Sequence, residues 1–219
     1  MRSFKINFSP ADGDELKGQS KWWGSADLPD GMDYPFIPYD DGDDDPMTFI
    51  CQIRCADLAE ADTENLLPHE GMLYFFADID EYVGAFHKEN PFEYDDEKYY
   101  HNGMGPWSPE AFKVLYSPTD EDLNTHRIMR TDGEPYGLPA EKISFETYDP
   151  CSLDTRLLGF PFEEEIEQEF PDYINLLQLW EEDRWRFFMY DCGILNFLIL
   201  PEDLKARRFD QVKVYLHSC

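Results

Sequence analysis

A chain of 219 residues with 47 acidic and 18 basic side chains carries a formal charge of −29 and a pI near 4.2. Such a surface repels phosphate backbones and anionic bilayers, so nucleic acid and membrane are rejected as partners and a basic protein is favoured. With 42% hydrophobic and 16% aromatic residues the chain is too apolar for a disordered acidic tail, and it is long enough to bury a core without cross-links.

In chain order, Phe4, Ile6 and Phe8 alternate with polar residues and predict a strand with one buried face. Further strands are expected over residues 47–54, 71–79, 112–116, 143–148, 173–180, 185–190, 194–200 and 212–217, all rich in residues that pack on a pleated surface. Helical signals are few: 56–64, 118–124 with Ser117 as its cap, 162–170, and 201–207, where Pro201 suits a first turn. The expected class is α+β, a sheet-rich single domain over 1–219 with mostly antiparallel strands and few short helices. The longest apolar stretch, 193–200, contains Asn196 and is under half the ~20 residues of a membrane span. No secretory signal is read at the amino terminus, and five scattered cysteines fit reduced thiols, so a cytoplasmic location is expected.

Short segments recur in the same order. Lys21-Trp22-Trp23-Gly24 echoes Arg156-Leu157-Leu158-Gly159, and Ile50-Cys51-Gln52-Ile53 echoes Leu176-Leu177-Gln178-Leu179. Gly71-Met72-Leu73-Tyr74-Phe75-Phe76 echoes Gly193-Ile194-Leu195-Asn196-Phe197-Leu198, and Lys113-Val114 echoes Lys213-Val214. These matches predict a pseudo-twofold duplication with half-repeats at about 18–118 and 150–219. From Gly71 to Lys113 is 42 positions but from Gly193 to Lys213 only 20, so the first half holds 22 extra residues around 81–107.

These same motifs carry a resemblance. The Lys-apolar-apolar-Gly segment at Lys21, Phe49-Ile50-Cys51-Gln52-Ile53 followed by Asp57-Leu58, and Leu67-Pro68 leading into Gly71 are joined by Leu158-Gly159-Phe160-Pro161, Leu177-Gln178-Leu179 and Asp191-Cys192-Gly193. Together, over residues 18–219, the chain resembles the bacterial YwqG-like family, the domain of unknown function numbered 1963. The resemblance implies a mixed α+β, sheet-rich domain with an internal repeat. It brings no catalytic residues with it.

Candidate chemistry is sparse. Cys192, between Asp191 and Gly193 at a strand mouth, and His217 on the final strand are the one pairing that suggests a nucleophile and base, against the ordinary reading of a structural thiol. Cys51 and Cys55 lack the second ligand pair of a structural zinc site. Asp41, Asp43 and Asp45 offer hard oxygens to Ca²⁺, but the run lacks the ordered acidic loop and downstream Glu of a calcium site and reads better as a solvated turn. No glycine-rich phosphate cradle occurs, and no cofactor is expected.

For binding, Tyr99, Tyr100 and Trp107 in the extra segment are interleaved with acids and read either as recognition anchors or as a cover over the sheet. Gln52 and Gln178 are polar in apolar strands and must find partners, whether across the pseudo-axis or in a shared pocket. Lys21, next to Trp22, and Arg156 are read as an anion clasp or, preferably, as surface ion pairs. The expected function is a non-catalytic binding module whose acidic surface recognises a basic macromolecule, for instance by occluding a toxin-like enzyme. A hydrolase centred on Cys192 and His217 is the alternative.

Overall fold

The computed structural model describes residues 1–11, 16–38, 44–83, 102–129, 133–148 and 154–218. The strands begin with β1 (Ser3–Pro10), β2 (Lys21–Trp22), β3 (Ala26–Pro29), β4 (Phe36–Ile37), β5 (Asp45–Pro46), β6 (Thr48–Arg54), β7 (Met72–Ala77), β8 (Gly105–Pro106) and β9 (Phe112–Ser117). They are followed by β10 (Leu123–His126), β11 (Glu141–Tyr148), β12 (Arg156–Leu157), β13 (Ile174–Trp180), β14 (Ile194–Ile199) and β15 (Lys213–His217). Helices α1 (Glu164–Glu169) and α2 (Pro201–Lys205) are short. Among the described residues no helix is long and apolar enough to cross a membrane.

Eleven strands form one antiparallel sheet in the order β8-β15-β14-β13-β12-β1-β11-β2-β6-β7-β9. Seven strand-to-strand steps separate β7 from β14, which on a flat sheet would place them ~34 Å apart. Instead the rings of Phe75 on β7 and Phe197 on β14 meet edge to face with centroids 5.5 Å apart. The sheet therefore curls into a half-barrel around a core that both ends fill: Leu73, Phe75 and Val114 from one, Leu177, Phe197 and Val214 from the other.

Every residue of β7 and of β14 is buried, which explains why both read as near-continuous apolar runs, interrupted in β14 by Asn196, rather than as alternations. Leu73, Phe75 and Ala77 point into the curl, and Met72, Tyr74 and Phe76 point outward into a second cluster closed by Ala26, Leu28 and Leu123 of the β3–β10 pair. At the other end Phe170, just past α1, lays its ring on Tyr215 of β15, 6.2 Å between centroids.

The two ends pair in parallel ways. Lys21 faces Gln52 and Gln52 faces Tyr74; Arg156 faces Gln178 and Gln178 faces Asn196. The register slips once between Phe49 and Cys51 and once between Asn175 and Leu177, in each case at the residue two positions before the glutamine. Phe75 then pairs with Val114, and Phe197 with Val214.

Two expected elements are corrected. Residues 185–190 are not a strand: Asp183–Trp185 makes one tight helical turn, and Arg186, at φ 50°, swings the chain back so that Phe187 and Glu182 exchange backbone hydrogen bonds. Nor are residues 118–124 helical. The Ser117 hydroxyl accepts the Thr119 N–H at 3.2 Å and fixes a turn, after which the left-handed Asp122 (φ 51°) leads Leu123 into β10. Residues 56–64 shrink to the single helical turn Cys55–Leu58.

Candidate functional site

One end of the sheet buries a connected polar network. Asp27, with no exposed surface, accepts at Oδ2 from Lys21 Nζ (2.8 Å), Gln52 Nε2 (2.9 Å) and the Gly18 N–H (2.9 Å), and at Oδ1 from the Thr125 hydroxyl (2.7 Å). Its own N–H donates to Gln52 Oε1 at 2.8 Å, and its carbonyl accepts the Tyr74 hydroxyl at 2.7 Å. Gln52 Nε2 also reaches the Gln19 carbonyl at 2.9 Å. Burial alone would push the Asp27 carboxyl up, but the hydrogen bond and charge of Lys21, with Thr125 and Gly18, outweigh it and hold the group below its ordinary value.

The polar residues at the other end of the sheet have different partners. Gln178 Nε2 donates to the Asp154 carbonyl at 3.0 Å, as Gln52 does to Gln19, and its Oε1 accepts from Asn175 at 3.2 Å. The Thr155 hydroxyl accepts the Trp180 N–H at 3.0 Å, as Ser20 accepts that of Arg54 at 2.9 Å. Arg156 is fully buried, donates to the Phe160 carbonyl at 3.0 Å and lies 4.5 Å from the centre of the Phe162 ring.

These positions correct the surface reading of Lys21 and Arg156. At 1% and 0% exposure they are interior groups, because an ammonium or guanidinium under a sheet persists only where fixed acceptors replace water. Gln52 and Gln178 do not bond to each other: four strands lie between β6 and β13, and each side chain is satisfied within its own end of the sheet. Trp22 is likewise interior, stacked on Trp185 at 5.9 Å and edge-on to Phe8 at 5.3 Å.

Trp107 belongs to the main core at 7% exposure, its indole donating to the Gly103 carbonyl at 2.8 Å. It covers the sheet rather than standing clear of it. Tyr99 and Tyr100 lie outside the described residues, as do Asp41 and Asp43. Asp45 is an exposed residue of β5 opposite Ile37, and no group of three metal-ligating side chains occurs among the described residues.

Cys192 sits at φ 61° in an exposed turn, with Sγ 3.8 Å from the Asp191 carboxylate, opposite in sign to the cation that activates a thiol. His217 is opposite Ile194 in the ladder and turns Nδ1 toward Glu165 at 3.9 Å. Burial pushes the Cys51 thiol up and that of Cys55 up to about 12, so neither supplies a thiolate at neutral pH.

Two surface features remain. An open cleft of about 540 Å³ is lined by Asp30, Asp120, Asp122, Asn124 and Lys17; Arg54 pairs with Asp120 at 2.7 Å, and its hydrogen bond holds that carboxyl below its ordinary value. A groove of about 580 Å³ runs between residues 64–68 and α2. Asp27, the hub of the buried network, had a sequence signal: an acid three residues past Gly24, within reach of the preceding cation.

The chain matches the family described as Domain of unknown function (DUF1963) over residues 20–219. It belongs to the DUF1963 family. The YwqG-like resemblance of its short motifs thus extends across essentially the whole chain. No curated protein gives a significant match. In this DUF1963 chain the matched region begins one residue before Lys21 and takes in the residues of both networks and both surface features except Met1, Lys17, Gly18 and Gln19.

Proposed function

We propose that this protein is a non-catalytic binding module that recognises a basic macromolecule, and that one form of such a role is occlusion of a basic, toxin-like enzyme. The observation that carries the reading is the acid-lined cleft of Asp30, Asp120 and Asp122 on a chain of net charge −29. A field of that sign accelerates encounter with cations, and carboxylates at a concave mouth fit Lys or Arg side chains. The polar groups of the interior support it indirectly, since Lys21, Asp27, Gln52 and Gln178 are occupied with one another or with backbone.

The experiment is affinity capture from cell lysate at low and raised salt, with wild type and an Asp30→Asn/Asp120→Asn/Asp122→Asn variant. Basic partners that fall away with salt and with the variant support the proposal. Neutral or acidic partners, or recovery indifferent to both changes, overturn it.

We also infer an internal duplication with half-repeats at about 18–118 and 150–219. The like pairings of Lys21–Gln52 and Arg156–Gln178, the register slip beside each glutamine, and the hydroxyl of Ser20 or Thr155 accepting the N–H two residues past that glutamine all support it. On this reading the extra residues around 81–107 are the first half's specialised part.

A further inference from the structure

Lys5, Lys21, Arg54, Arg184 and Arg208 each face a carboxylate. Arg207 does not follow them: it donates to the Tyr116 hydroxyl at 3.1 Å and lies 5.6 Å over the Tyr116 ring, its backbone held in the left-handed region at φ 57°. Two residues earlier, Lys205 ends α2 and is exposed. Both line the groove beside α2, as do the buried side chains Leu67, Ile174 and Leu204. At its mouth stands Phe160, 62% exposed, on the residue after the second matched glycine.

A groove lined by apolar side chains and two cations, in a chain with more than twice as many acids as bases, has a definite complement. We propose that this groove binds a small amphiphilic carboxylate, its apolar tail laid on Leu67, Ile174 and Leu204 beneath Phe160 and its head group between Lys205 and Arg207. The volume of about 580 Å³ lies within the range of small-molecule sites. Arg207, already fixed by Tyr116, loses little freedom on meeting an anion, and a charge-assisted contact there is stronger than a neutral one. The acid-lined cleft shares no lining residue with this groove and takes ligands of opposite sign, so this inference stands apart from the proposed recognition of a basic partner.

The test is calorimetric titration of the full chain with decanoate and with 1-decanol, together with methyl NMR of Leu204 and Ile174. Decanoate should bind more tightly than the alcohol and shift both methyls. A Lys205→Glu/Arg207→Glu variant, changed only at exposed side chains, should weaken decanoate at least about tenfold and leave the alcohol nearly unchanged. Phe160→Ser should weaken both ligands. Equal affinity for acid and alcohol, undiminished decanoate binding by the double variant, unmoved Leu204 and Ile174 methyls, or no binding at all would each overturn the proposal.

Discussion

Asp27 and Lys21 sit within 2.8 Å of each other with almost no contact with water, and the removal of either leaves the other's charge stranded. Asp27→Asn should therefore cost about 3–5 kcal/mol, read as a lowered urea midpoint. The pH dependence has a definite sign. Because the folded carboxyl lies below its ordinary value, the unfolded chain takes up the proton first as pH falls. The contribution of Asp27 is complete above pH ~4 and disappears as pH drops through the lower folded value. Acid unfolding followed by circular dichroism should show that loss in the wild type and a flatter profile at that end in Asp27→Asn. Cysteine labelling gives a second check. Iodoacetamide at neutral pH should modify exposed Cys192 well before buried Cys51 and Cys55, as peptide mass mapping will show, and a folded-state Cys192 that resists would remove the alternative hydrolase reading.

At the level of elements, the long strands were legible because their apolar runs have few interruptions, and Gly71, Gly193 and Pro201 mark ends of β7 and β14; β6, β7, β13 and β14 fall where the residue pattern puts them. What escaped was short or set by contacts distant in sequence. β3 and β10 are four residues each and exist because Leu28 and Leu123 close the outer cluster over Tyr74, a pairing with no local signature. Arg186 adopts a left-handed backbone that its residue type does not favour, while Asp122 takes one that aspartate visits more readily; the first ends an expected strand and the second, after the Ser117 turn, replaces an expected helix with an approach to β10. Of the candidate site, Gln52 and Gln178 were visible as polar interruptions, whereas the burial of Lys21 and Arg156 was not, since a sequence dominated by acids makes an exterior ion pair the natural guess. Gly71 and Gly193, which open β7 and β14, have a reason that the coordinates supply: a Cβ would strike the Ser117 carbonyl in one case and the Met189 carbonyl in the other. Gly71→Ala and Gly193→Ala should each lower stability by about 1–3 kcal/mol, with a matching drop in melting temperature.

For the whole molecule, the contact between Phe75 and Phe197 means that neither end of the sheet has a finished interior without the other. Calorimetry should give a single transition, and Phe197→Ala should cost about 3–5 kcal/mol while keeping that transition undivided. Two separable transitions would mean that the ends fold independently. The margin of the sheet has its own logic. β15 would be an outermost strand but for Gly105 and Pro106, which pair with Leu216 and Tyr215, while the following Trp107 N–H bonds to the Val214 carbonyl at 2.9 Å. Proline has no N–H to offer a further strand, so the ladder stops there. The downstream end of the 81–107 stretch thus acts as a built-in guard against self-association: a chain lacking it would present Lys213–His217 as a bare template on which a neighbouring molecule could stack.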